Sequence, residues 1–270
     1  MDKKRNITEV RCGDFYFLYF EKESERGLSN RTWHMHSFYE IMLVCEGEEE
    51  FVIENRTYVI KKGDVLLIKP GSHHYQKKII NSPTKIYCLG FLPEAIENSK
   101  KAELLFENIE HLSLSEDSPL YPILDSAKRK LDISKSNASQ FLKAVADAAI
   151  LILCDLEANE EKIDEVKNPA VKRMLEYINE NLTSIHKVED IASALFFSDS
   201  YTRTLFKKEM KIGIMEYVRS KKVLLARRKI RHGASPTEIY AECGFSNYTS
   251  FYRAYVSQLG HTPRAQLKLL

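Results

Sequence analysis

Histidines and a glutamate early in the chain carry side chains that could bind a metal ion or a polar ligand. His34, His36 and Glu40 stand at positions of the same parity, so a continuous strand would direct all three to one side of a sheet. His73 and His74 follow later, and either could take a fourth position, to which we assign His74. Imidazole and carboxylate groups are common ligands of transition metals. The pattern therefore predicts a small polar site.

The residues between and after these groups favour an organic ligand at this site. Phe38, Met42 and Val44 share the same parity and would form an apolar lining with polar groups near its mouth, as small-ligand sites require. We therefore predict no metal ion and no cofactor. Two alternatives stay open: the histidines only form hydrogen bonds within the domain, or they hold a functional metal. The predicted effector-binding residues are His34, His36, Phe38, Glu40 and His74.

A second group of chemically active residues lies in the last third of the chain. Residues 169–270 contain 17 Lys and Arg against 9 Asp and Glu, whereas residues 1–168 contain 23 against 29. This asymmetry indicates that the C-terminal part meets a polyanion. Arg203 and Arg253 suit bidentate contacts with guanine. The lysines that could neutralise phosphates are Lys207, Lys208, Lys221 and Lys222.

Short strands must position the histidines. From residue 10 to residue 91, short apolar runs alternate with turn signals such as Pro70-Gly71, which is typical of a β-sandwich or barrel. The pattern then becomes helical, and residues 139–159 repeat apolar side chains at steps of three and four. The broad apolar face of this helix predicts either packing against the barrel or a dimer contact.

A charged segment, residues 159–168, separates the two parts, and Pro169 stands where a new helix could begin. We therefore predict an N-terminal domain over residues 1–160, which is all-β and followed by helices. An all-α DNA-binding domain is expected over residues 169–270.

The C-terminal domain shows a helix-turn-helix pattern twice, over residues 187–208 and 236–255, joined by a long helical stretch over Ile214–Arg231. Ser198 is expected to cap the second helix of the first copy, and Ser246 or Asn247 that of the second. Gly244 would supply the turn of the second copy, which needs a positive φ angle. The residues expected to face inward after Ser198 are Tyr201, Leu205 and Phe206.

Residues 169–270 resemble the DNA-binding domain of the AraC/XylS transcription regulators. The motifs that carry the resemblance include Asp190-Ile-Ala192, Leu205-Phe206-Lys207, Gly244-Phe245, Phe251 and Gly260-His-Thr-Pro263. In that family each recognition helix enters a major groove of DNA. Thr204 departs from the family, which often has Arg there. The resemblance and the charges place these residues at the DNA: Ser200, Arg203, Thr204, Lys207, Lys222, Tyr248, Thr249, Ser250 and Arg253.

The N-terminal half is similar to the cupin motif, a small jelly-roll barrel, in its spacing of His-x-His, three residues, Glu, six residues and Gly. Cupins of this form are the usual sensor of AraC/XylS regulators. The two resemblances imply a regulator of promoters that responds to a small-molecule effector, with carbohydrates among the candidates. They also imply a homodimer, and contact with RNA polymerase if the protein is an activator.

Composition sets further limits on function. No apolar run approaches the roughly 20 residues needed to span a bilayer, so no membrane partner is expected. Five scattered cysteines without a CxxC pair indicate reduced thiols, and hence a cytoplasmic protein. We therefore predict a DNA-binding regulator, an activator by resemblance, without enzyme activity. The alternative is a metal-dependent cupin enzyme with an accessory DNA-binding domain.

Overall fold

The computed structural model describes residues 5–22, 34–156, 165–166 and 168–267. The chain divides into two compact units. One comprises residues 1–53 and 57–164, and the other comprises residues 54–56 and 165–270. We call them the N-terminal and C-terminal domains. The charged segment predicted over 159–168 lies largely outside the described residues.

The N-terminal domain is built on an antiparallel sheet. Its strands follow the order β1-β2-β6-β3-β4, while β5 pairs with β3 and β7 pairs with β5. The long central pair, β3 and β6, departs from regular register at several points, which allows the sheet to bend. The strands are β1 (Arg5–Cys12), β2 (Phe15–Lys22), β3 (Tyr39–Ile53), β4 (Arg56–Lys61), β5 (Asp64–Ile68), β6 (His74–Phe91) and β7 (His111–Ser113).

Alternate residues of a strand point to opposite sides of the sheet, and a separate core packs against each side of its central strands. On β3, Ile41 and Leu43 join a core that also contains the helices of the domain. Met42 and Val44 join a second core, made of strand residues such as Ile60. Met42 and Val44 thus share one side of the sheet, and Ile41 and Leu43 on the other side are equally buried.

Three helices cover one face of the sheet: α1 (Ser99–Asn108), α2 (Leu120–Ile133) and α3 (Ala138–Cys154). The predicted helix over residues 139–159 is therefore present but ends at Cys154. Its apolar face, including Leu142, Ala149 and Leu153, is buried in the core shared with the sheet. Packing against the sheet therefore accounts for most of the broad apolar face of α3.

The C-terminal domain is helical. A two-residue strand, β8 (Glu165–Val166), stands before its helices. The residues of α7 that face α8 and α9, among them Val223, Ala226 and Ile230, form a core with Phe251 and Tyr255. The helices are α4 (Pro169–Asn181), α5 (Val188–Leu195), α6 (Asp199–Met210), α7 (Ile214–Arg231), α8 (Pro236–Glu242), α9 (Tyr248–Leu259) and α10 (Pro263–Leu267).

The pairs α5–α6 and α8–α9 are the two predicted helix-turn-helix units, and α7 is the predicted helix between them. In the part of the chain that the structure describes, none of the helices combines the length and apolar character that a membrane crossing requires.

Candidate functional site

The predicted histidine–glutamate site forms, although not on a continuous strand. β3 begins only at Tyr39, so the expectation that one strand carries His34, His36 and Glu40 is wrong. Instead, the backbones of His34 and His74 exchange two hydrogen bonds of 3.2 and 3.1 Å. The N–H of Gly71 donates to the carbonyl of His36 at 2.8 Å. Long-range backbone pairing therefore brings these side chains together.

Four side chains converge here, and we call them the His–Glu cluster: His34, His36, Glu40 and His74. One potential ligand atom from each lies within 4.8 Å of the others. The Nε2 of His36 lies 2.6 Å from Oε2 of Glu40, and the Nε2 of His74 lies 3.5 Å from the same oxygen. His74, rather than His73, therefore joins His34, His36 and Glu40.

The orientation of two imidazoles is fixed by backbone carbonyls. Nδ1 of His36 lies 3.1 Å from the carbonyl oxygen of Phe38, and Nδ1 of His74 lies 2.9 Å from that of Ser72. Because a carbonyl only accepts, each Nδ1 must carry a proton. Both Nε2 atoms are therefore directed toward the centre of the cluster. His74 is also stacked with Phe51 at a ring-centroid distance of 6.0 Å.

The inner half of the cluster is buried: Glu40 and His74 are buried, His36 is partly buried and His34 is exposed, and this affects the charge of Glu40. The His74 side chain is only 1% exposed. Burial alone would raise the pKa of Glu40, but the hydrogen bonds and positive charge of His36 and His74 outweigh it and hold the pKa well below its usual value. Glu40 is therefore a carboxylate facing imidazole nitrogens. Such a set can bind a polar ligand or a metal ion.

Phe38 is the fifth predicted effector residue. It lies in the bend between His36 and β3, is partly buried, and its ring centroid is 6.1 Å from that of His36. It therefore borders the cluster. Met42 and Val44 lie deeper in the strand core.

In the first helix-turn-helix unit, Ser198 caps α6 as predicted, since its Oγ accepts a hydrogen bond from the N–H of Tyr201 at 3.2 Å. The expectation that Tyr201 faces inward is wrong, because its side chain is 47% exposed. Thr202 takes the inward position instead, one helical turn before the buried Phe206, and donates to the carbonyl of Ser198. Sequence periodicity therefore assigned the first inward position of α6 to Tyr201, one residue before the buried Thr202.

The opposite face of α6 carries the predicted DNA-binding residues. Ser200, Arg203, Thr204 and Lys207 are all exposed and occupy positions i, i+3, i+4 and i+7, which share one side of a helix. Nη2 of Arg203 lies 3.9 Å from Oε1 of Glu189, on α5.

The second unit repeats this arrangement. Gly244 has φ of +79° at the turn, and Asn247 caps α9 by accepting from the N–H of Ser250 at 2.8 Å, both as predicted. Thr249, Ser250 and Arg253 are exposed on α9, opposite the buried Phe251 and Tyr255 that form the inner face.

Two aromatic residues complete the surface of α9. Tyr248 is partly buried, because its ring packs against those of Tyr240 and Phe251. Tyr252 is exposed one helical turn after Thr249 and was not among the residues predicted from the sequence. Its spacing of three residues from Thr249 is the signal that could have identified it.

Lys222 does not belong to this surface, and its assignment as a DNA contact is wrong. The residue is 4% exposed, and its Nζ donates to the carbonyl oxygens of Ile185 and Gly244, the latter at 2.7 Å. Burial lowers the pKa of its ammonium group. Lys222 therefore ties α7 to the segment before the first unit and to the turn of the second.

Two family models match the chain, one over each domain. An AraC-like ligand binding domain matches residues 20–151, and a helix-turn-helix domain matches residues 191–268. The chain belongs to the AraC family of transcription regulators. The resemblance drawn from the sequence motifs is thereby confirmed, and so is the architecture of a cupin-like domain followed by a helical one. As an AraC-family member, the protein is an effector-responsive, DNA-binding regulator.

Relatives of this AraC-family chain extend over most of its length. An HTH-type transcriptional regulator of Bacillus subtilis, YfiF, is 27% identical over 87% of the chain and 78% of its own length. The lactose operon transcription activator of Staphylococcus xylosus is 22% identical over 88% of the chain and 89% of its own length. Among solved structures, the AraC-like transcriptional activator CuxR covers 82% of the chain and 79% of its own, with 17% identity and a TM-score of 0.38.

Proposed function

We propose that α6 and α9 are the recognition helices of this AraC-family regulator, each reading one segment of major groove. The observation that carries this proposal is the repeated outer face. On α6 it presents Ser200, Arg203, Thr204 and Lys207, and on α9 it presents Thr249, Ser250 and Arg253. Both faces lie opposite buried apolar residues, so these side chains are available to a partner.

The side chains on these faces suit base and phosphate contacts. Arg203 and Arg253 can form bidentate hydrogen bonds with guanine, and the hydroxyl groups of Thr and Ser can bind bases or phosphates. Lys207, in the last turn of α6, can neutralise a phosphate. Tyr248 and Tyr252 add aromatic rings next to this polar face.

For the N-terminal domain we propose that a small molecule binds beside the His–Glu cluster and Phe38, and changes affinity for promoter DNA. The clustered imidazoles and carboxylate supply the polar partners that a hydroxyl-rich ligand needs. The lactose operon transcription activator is a relative of this chain, which supports an activator with a carbohydrate effector. An activator acting on promoters would work in the cytoplasm, as a homodimer, and contact RNA polymerase.

The test is selection of bound DNA from a random pool by the full-length protein, with and without a panel of sugars. We expect one enriched sequence whose recovery changes with one sugar, and a variant His36→Ala that does not respond to it. Enrichment of no sequence under any condition would contradict the DNA-reading proposal. A selected sequence whose recovery no sugar alters would contradict the carbohydrate effector alone.

A further inference from the structure

We propose that Tyr201 is a specificity-determining residue of α6, whose ring contacts the C5-methyl group of a thymine in the major groove. This inference rests on the proposed role of α6 as a recognition helix and adds a side chain to its reading face. The sequence predicted a core position for Tyr201, whereas its side chain is 47% exposed. A large aromatic ring therefore lies on the surface beside the residues proposed to read bases.

The two recognition helices can be aligned by their caps and their buried positions. Ser198 caps α6 and Asn247 caps α9, each through a side-chain oxygen that accepts from the N–H three residues later. The residues four and eight positions after the cap are fully buried in three of four cases and almost so in none less: they are Thr202 and Phe206 on α6, and Phe251 and Tyr255 on α9, all at 0% exposure. The two helices therefore share one inner face, and their outer positions correspond one to one.

In this alignment Tyr201 occupies the position of Ser250, three residues after the cap. Both side chains are exposed. The residues two, three and six positions after the cap are all exposed: on α6 they are Ser200, Tyr201 and Thr204, and on α9 they are Thr249, Ser250 and Arg253. A DNA contact by Ser250 therefore implies one by Tyr201, because equivalent positions of the two helices face the same way.

The ring of Tyr201 is held by its neighbours. Its centroid lies 5.3 Å from that of Phe197, with the two ring planes at 67°. Phe197 is partly buried, and the guanidinium carbon of Arg173, on α4, lies 5.3 Å from its ring centroid. Edge-to-face packing of this kind is favourable for aromatic pairs. Tyr201 is thus oriented before DNA binds, so its contact with a base costs less conformational entropy.

The chemistry of this part of α6 suits thymine. Tyr201 and Thr204 are exposed and three residues apart, which makes their side chains neighbours on the helix surface. The ring of one and the methyl group of the other form an apolar strip. Thymine is the base that presents a methyl group in the major groove, and apolar side chains contact it there, whereas guanine and cytosine present only hydrogen-bonding atoms. The strip therefore favours thymine over the other bases.

The experiment uses the full-length protein and the DNA site selected from a random pool. Each thymine of the site is replaced in turn by deoxyuridine, which removes the C5-methyl group and keeps the base pair. The contacts of α6 are located as the protected patch that Arg203→Ala weakens. For the wild type we expect one thymine in this patch whose replacement raises the Kd by about 3–5-fold, the effect of burying a single methyl group.

Three variants of the protein are titrated against the same DNA series. Tyr201→Phe keeps the ring, so it should show the wild-type loss on deoxyuridine. Tyr201→Ser introduces the residue found at the equivalent position of α9, and it should bind more weakly and no longer respond to that replacement. Tyr252→Ala is the matched control, because it removes an exposed tyrosine from α9 and should keep the thymine response of the α6 patch. Circular dichroism confirms that each variant is folded.

Three results would overturn the inference. The first is a patch for α6 in which no thymine responds to deoxyuridine. The second is an equal response in Tyr201→Ser and the wild type, which would give Tyr201 a structural role only. The third is a lost response in Tyr201→Phe, which would assign the contact to the hydroxyl group. In all three the wild type still binds its selected site, so the recognition-helix proposal stands. Failure to select any sequence would instead sink that proposal, and this inference with it.

Discussion

The two helix-turn-helix units share one plan but make their turns differently. The first turn places Phe196 in the left-handed region at φ +57°, and its side chain is 93% exposed. The second turn places Gly244 there, and a Cβ atom at this position would clash with the carbonyl oxygen of Thr183. An open turn tolerates a side chain at a strained position, whereas a packed turn requires glycine.

Lys222 explains why the second turn is packed. Its ammonium group lies against Gly244 and donates to the carbonyls of Gly244 and Ile185. Ile185 is buried just before the first unit. One side chain of α7 thus fastens the segment before the first unit and the turn of the second unit to the helix that joins the units. A lysine in a basic, DNA-binding domain can therefore stabilise the fold instead of binding DNA.

The two arginines also differ. Arg203 is paired with Glu189 at 3.9 Å, whereas Arg253 has no ion-pair partner among the described residues. The nearby carboxylate of Glu189 competes with DNA acceptors for Arg203, and an exposed ion pair of this kind is worth up to about 1 kcal/mol. We therefore expect the second unit to contribute more to sequence recognition than the first.

The largest effect is expected from Gly244→Ala. The left-handed backbone and the clash with Thr183 should together cost about 3–5 kcal/mol in the free energy of unfolding of the C-terminal domain. Gly260→Ala is the matched control. Gly260 also has positive φ, but a Cβ there meets nothing within 4 Å. Its cost should be about 1–2 kcal/mol, from the backbone alone. Urea denaturation measures both, and equal losses would show that packing at the second turn is unimportant.

Lys222→Met should come next. Methionine fills similar space but leaves the carbonyls of Ile185 and Gly244 without their donor, so we expect a loss of about 2–3 kcal/mol in the free energy of unfolding. Lys208→Met is the control, since Lys208 is an exposed lysine in the last turn of α6. A loss below about 0.5 kcal/mol for Lys222→Met would refute the role of this residue as a tie between the units.

Arg253→Ala tests the difference between the recognition helices. If the side chain reads a base, its removal should weaken binding by about 1–3 kcal/mol and relax preference at one position. Arg203→Ala should cost less, because the wild-type arginine gives up its ion pair with Glu189 on binding. Titration against a series of single-base mismatches measures both. Uniform weakening on every sequence would instead assign Arg253 to the phosphate backbone.

The smallest effect is expected from Phe196→Gly. Relief of the left-handed strain, about 1–2 kcal/mol, exceeds the entropic cost of glycine, about 0.5–1 kcal/mol, so the domain should become more stable by about 0.5–1 kcal/mol. Thermal unfolding detects this gain. A loss of stability would mean that the exposed Phe196 ring makes contacts that strengthen the turn.

Local signals in the sequence predicted much of the C-terminal domain. Ser198 and Gly244 act within a few residues of themselves, so their types were sufficient to place a cap and a turn. Tyr201 was predicted to face inward, whereas Thr202 does so. An aromatic ring is typical of a core position, and only its packing partners show otherwise. Lys222 could not be predicted either, since its two acceptors come from segments distant in the chain.

The His–Glu cluster was predicted for the wrong local reason. The prediction from strand parity required a regular extended backbone from His34 to Glu40, whereas the segment before Tyr39 is irregular. Pairing between His34 and His74 supplies the geometry instead. Sequence spacing could suggest which residue types meet, but not the long-range backbone bonds that make them meet.

Footprinting of full-length protein on its selected DNA site tests the central claim, that one chain reads DNA with two recognition helices fixed by α7. We predict two protected patches on one face of the duplex, one helical turn or about 34 Å apart. Arg253→Ala should weaken protection in one patch more than in the other. A single continuous patch, or two patches that Arg253→Ala weakens equally, would contradict the account.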